Sequence, residues 1–166
     1  SALGSSQIVK NSIGGDDTFT FADNSTPPFD ALSLTTVGGT VFEDLTNVLD
    51  PALSPYLVNE DVKDGWSLTN VKCEDSILPG DSLPQGPDGA LTVPNATINV
   101  DYDESVTCVF TNVADSSLVI EKRTLPAGAA DGFTFTSDGA LFDNSGLVTT
   151  ILTDTTNVVV NDSITG

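Results

Sequence analysis

Val106-Thr-Cys-Val-Phe-Thr-Asn112 reads as a β-strand that carries a carboxamide on its apolar side. Alternate side chains of a strand point the same way. Val106, Cys108, Phe110 and Asn112 therefore share one face, and Thr107, Val109 and Thr111 share the other. The same period places Lys10 beside Ile8 in Ser6-Gln-Ile-Val-Lys10, and Glu60 beside Tyr56 and Val58 in Tyr56-Leu-Val-Asn-Glu60. An amine, a carboxyl and a carboxamide are each expected at an inward position of a different strand.

Outward from these runs the pattern stays all-β. Short alternating segments rich in Val, Thr, Phe and Ile are separated by Gly, Pro, Asn and Asp turn signals. They predict strands over 6–12, 17–22, 30–36, 40–46, 55–60, 66–73, 96–101 and 105–113. No sustained 3.6-residue period with caps is present, so little helix is expected. Pro79 to Pro94 reads as a long surface loop.

Composition narrows the function classes. The chain has 166 residues, with 24 acidic and 5 basic side chains and a formal charge of −19. That charge repels nucleic acid and anionic membrane surfaces, and no stretch approaches the roughly 20 apolar residues of a membrane span. With no His and no Met, most metal-hydrolase and Ser–His–Asp schemes lose a member, and no metal or cofactor is expected. The cysteines, Cys73 and Cys108, suggest a disulfide and an oxidising compartment; the alternative is two buried thiols. Bridged, they close a loop of 108 − 73 = 35 residues, which the chain-entropy model values at about 3–4 kcal/mol.

A repeat runs through the chain. Ser6-Gln-Ile-Val-Lys10 with Thr18-Phe-Thr-Phe21 recurs as Leu118-Val-Ile-Glu-Lys122 with Phe133-Thr-Phe-Thr136, the lysines 122 − 10 = 112 residues apart. Tyr56-Leu-Val-Asn-Glu60 has a weaker echo in Val158-Val-Val-Asn-Asp162. The expected domains are one complete sandwich over 1–115 and the N-terminal half of a second over 116–166. Half a domain leaves strand edges unpaired. The expectation is a chain that continues past Gly166, or strands donated by a neighbouring copy.

The three inward polar groups make chemical sense only together. An unpaired buried amine or carboxylate shifts its pKa and neutralises. A neutral amine is a nucleophile, and a protonated carboxyl can donate to a carboxamide oxygen and shuttle protons. Lys10, Glu60 and Asn112 in contact would form a Lys–Asn isopeptide with loss of ammonia. Two of the four lysines, Lys10 and Lys122, hold the same repeat position. For a second copy the acid would be Asp162. The competing reading leaves Lys10 and Lys122 on edge strands, reaching water.

The ordered series Ile8-Val-Lys10, Tyr56-x-x-x-Glu60, Gly65-Trp66, Cys73 and Val106-Thr-Cys-Val-Phe-Thr-Asn112 resembles the prealbumin-like repeat domains of bacterial surface proteins, related to collagen-adhesin B-type repeats and pilin SpaA-like domains. The resemblance implies a Greek-key, immunoglobulin- or prealbumin-like β-sandwich in tandem repeats, used as an extracellular stalk, fibre or adhesin spacer. It also implies a cross-link from a first-strand Lys to a last-strand Asn, assisted by a middle-strand acid: Lys10, Asn112 and Glu60. A structural, non-enzymatic module, with neighbouring copies of itself as partners, is the expected function. The alternative is a ligand- or calcium-binding adhesive module using Asp16-Asp17, Glu74-Asp75 or Asp101-Tyr-Asp-Glu104. A hydrolase using Asp101 and Asp103 is a third reading.

Overall fold

The computed structural model describes residues 1–85, 95–137 and 148–162. The chain divides into two compact units, Ser1–Ala114 and Asp115–Thr165. Each predicted strand of the first unit forms. They are β1 (Gly4–Ile13), β2 (Thr18–Thr20), β3 (Ser33–Thr35), β4 (Thr40–Leu49), β5 (Tyr56–Asn59), β6 (Trp66–Asp75), β7 (Asn95–Ile98) and β8 (Ser105–Ala114). The helical segments among the described residues are two short 3-10 turns, Phe29–Ala31 and Pro51–Leu53.

One sheet has the order β4-β1-β8-β6; the pairs β2-β3 and β5-β7 supply the opposing strands. The first and last strands of the unit lie side by side and parallel, with Lys10 opposite Phe110 and Ser12 opposite Asn112. On the far side of β8, antiparallel β6 sets Cys73 opposite Cys108. The β3–β4 turn needs left-handed backbone at Gly38 (φ 65) and Gly39 (φ 85), where a Cβ would be strained. The Asp16 carboxylate accepts the amides of both glycines.

Inward positions of the four-stranded sheet, including Ile8, Val71, Val106 and Phe110, join one core with Phe21, Phe29, Leu34, Tyr56, Val58 and Ile98 of the opposing elements. Phe110 meets Phe21 edge-to-face at 5.2 Å, and both are fully buried. Truncating such a ring removes its transfer free energy and leaves a cavity. Phe110→Ala is expected to cost about 3–5 kcal/mol, seen as a lower urea midpoint at constant m-value. A loss below about 1 kcal/mol would contradict this packing.

The second unit holds β9 (Ser116–Glu121), β10 (Phe133–Ser137), β11 (Val148–Leu152) and β12 (Asn157–Asp162). β9 pairs antiparallel with β12, and β10 with β11. β1 with β4 and β2 with β3 have the same pattern. Val158–Asp162 therefore holds the place of β4, and its expected equivalence to Tyr56–Glu60 is corrected. Asp162 pairs with Ser116, while Lys122 lies past the other end of β9, exchanging backbone hydrogen bonds with Thr155 and Thr156. The backbone of Asp162 therefore lies at the opposite end of β9 from Lys122. Short valine-rich runs alternate alike in any strand, so pattern alone cannot tell a fourth strand from a fifth. Within the predicted 79–94 loop, Leu83 and Gln85 bridge to Thr97 and Cys73; 86–94 and Gly166 lie outside the described residues.

Candidate functional site

The pleat carries Lys10 on β1 and Asn112 on β8 to the inner face. Glu60, one residue past β5, comes from the opposing side. Its neighbour Asp61 holds that strand end in place, accepting hydrogen bonds from the Thr20 hydroxyl (2.6 Å) and the amides of Ala22 (2.9 Å) and Asp23 (2.8 Å). Asp61 is an anchor that sequence reading did not single out.

The three side chains meet. Lys10 Nζ donates to Asn112 Oδ1 at 2.7 Å, to the Asn11 carbonyl at 2.8 Å and to the Phe110 carbonyl at 3.2 Å. It stands 3.6 Å from Glu60 Oε2. Glu60 and Asn112 also line one small cavity. Lys10, Glu60 and Asn112 are 0%, 4% and 3% exposed. The alternative in which Lys10 sits on an outer edge and reaches water does not hold, because β1 is flanked by β4 and β8.

Burial drives the electrostatics. Desolvation lowers Lys10 from 10.5 to about 8, against the opposing pull of Glu60. Desolvation also raises Glu60 above the ordinary carboxyl range, opposed by Lys10 and by the Asn112 side chain. Both shifts narrow the gap between the ion pair and the form with a neutral amine beside a protonated carboxyl. Glu60 Oε2 has no hydrogen-bond partner within 3.5 Å, so it is placed to give or take a proton.

Aromatic walls complete the site. The Phe19 ring lies 4.3 Å from Lys10 Nζ and meets Trp66 edge-to-face at 5.2 Å. The repeated Thr-Phe-Thr motif was the available signal for Phe19. Lys122 has the same neighbour, its Nζ 4.0 Å from the centre of the Phe133 ring. That spacing is 133 − 122 = 11 residues, against 19 − 10 = 9 in the first unit, which a fixed-offset comparison obscures.

Cys73 and Cys108 are bonded to each other and buried. The acidic clusters turn several of their oxygens on the protein itself. Asp17 accepts from the Trp66 indole and pairs with Lys63. One oxygen of Asp75 accepts from the amides of Asp81 and Ser82 and from Gln85. Glu104 accepts the Asp101 amide, and Asp103 that of Ala2. Among the described residues, no group of three or more His, Cys, Asp or Glu is placed to hold a metal.

A family model described as a prealbumin-like fold domain matches residues 6–114. No curated protein and no solved structure matches the chain.

Proposed function

This chain belongs to the prealbumin-like fold domain family, and from that membership we propose that it is a structural module of an extracellular surface fibre, stalk or adhesin, locked by a Lys10–Asn112 isopeptide. The observation that carries the reading is the 2.7 Å contact of a buried amine with a carboxamide, with a buried carboxyl beside both.

The step balances within the chain. With the proton on Glu60, the neutral Lys10 Nζ attacks Asn112 Cγ, and Glu60 donates toward the Oδ1 that gains negative charge. The Nζ–Cγ bond forms and the Cγ–Nδ2 bond breaks. Glu60 relays a proton from Nζ to Nδ2, which leaves as ammonia. Positioning is already paid in the fold, and proximity of this kind is worth several kcal/mol of barrier.

The topology supports a load-bearing role. The cross-link joins the strand that opens the unit to the strand that closes it, 102 residues apart. Tension along the chain would pass through one covalent bridge, bypassing the segment between. The disulfide fastens β8 to β6 on its other side, so β8 would be held on both edges.

The second unit extends the proposal to a tandem array. Its strand pairing and its Lys122–Phe133 contact repeat those of the first. Among the described residues β9 pairs only with β12, whereas β1 also has a parallel partner. The other edge of β9 is where an equivalent of β8 would add, contributed by a neighbouring copy.

Intact mass tests the lock. The folded chain is expected to weigh about 17 Da less than its sequence for one lost ammonia, and a further about 2 Da less for the disulfide. Glu60→Gln should keep the ammonia, since the amide cannot relay the proton. A folded wild-type chain without the 17 Da deficit would remove the isopeptide and leave the sandwich.

A further inference from the structure

A small cavity of about 80 Å³ opens beside the buried triad, lined by Glu60, Asp61, Lys63, Trp66, Leu68 and Asn112 among others. A water-sized molecule needs only roughly 10–15 Å³ of such space, so ammonia fits. Asp17 stands at its edge and grips two of the lining residues. Its Oδ2 accepts the Trp66 indole N–H at 3.0 Å, and its Oδ1 pairs with Lys63 Nζ at 3.2 Å. Trp66 in turn packs on Phe19, the ring that covers the Lys10 amine.

We propose that Asp17, Trp66 and Lys63 form a clasp over this cavity, which is the exit for the departing ammonia and the barrier that keeps bulk water from Lys10 and Glu60. The inference rests on the isopeptide reading above. The clasp residues touch neither reacting atom and act as positioning residues, by setting how dry the pair is. The charged groups around the pair are Glu60 itself, Asp61, and Asp17 with Lys63 at the mouth.

The pH dependence follows from proton counting. The reactive form, neutral amine with protonated carboxyl, holds as many protons as the ion pair. Its share is therefore constant on a plateau between the two apparent pKa values of the pair. Admitting water raises the amine pKa and lowers that of the carboxyl, which moves the limbs apart and lowers the plateau. The rate should fall roughly tenfold for each unit by which the two are separated.

The test refolds unreacted chain from denaturant at a series of pH values and follows the 17 Da loss by mass spectrometry. Asp17→Asn, a change at a half-exposed carboxylate, weakens the grip while keeping an acceptor for the indole; Asp17→Ala removes it. The expected result is a lower plateau and a wider pH profile, graded from Asn to Ala. Separately, in an Asn112→Ala background that cannot cross-link, Lys10 should resist acetic anhydride, and Asp17→Ala should expose it to labelling. Unchanged plateau, limbs and labelling in a variant that only melts earlier would overturn the clasp. A wild-type chain that never loses ammonia would instead overturn the cross-link, while the labelling arm would still report on the clasp.

Discussion

Lys10→Met and Asn112→Ala should each abolish the 17 Da loss and lower the melting temperature by roughly 20 °C or more. The bond would close a loop of 102 residues, and the loop-entropy argument values a cross-link of that span at about 5 kcal/mol. Either substitution removes the whole bond, so the double variant should be little worse than the singles, a large departure from additivity. Calorimetry on the four chains measures it. Two modest effects that simply add would mean that the residues contribute ordinary packing and hydrogen bonds, and that no bond joins them.

The second large effect concerns the disulfide. Replacing Cys73 and Cys108 together by alanine should cost about 4 kcal/mol, because the bridge closes a loop of 35 residues in the unfolded chain. Both cysteines are fully buried on adjacent strands, so alanine adds a modest loss of contacts in the core. A melting temperature lower by roughly 15 °C is expected, matched by wild-type protein reduced in denaturant and refolded under reducing conditions. Two titratable thiols in the unreduced, denatured chain would show that the bridge does not form in solution.

Much of this unit was legible from alternation. A period of two is a local property of the backbone, so the eight strands and the inward direction of Ile8, Lys10, Val58, Cys108, Phe110 and Asn112 could be read without knowing which strand pairs with which. Three polar residues on inward positions also imply that they meet, since each alone would bear an uncompensated desolvation cost. The identity of β12 was not legible. Val158–Asp162 has the composition of any inner strand, and only its hydrogen bonds to β9 give it the place of β4.

By itself, then, the sequence determined an all-β chain with an amine, an acid and an amide turned toward its interior, because side-chain direction along a strand depends on parity alone. Only the tertiary structure decided that β1 and β8 lie parallel and adjacent, that Phe19 covers the amine, and that Asp17 reaches Trp66 and Lys63 across 49 and 46 residues. Contacts of that kind depend on which strands pair and how loops fold back over the sheet, and neither is set by the period of the residues that make them.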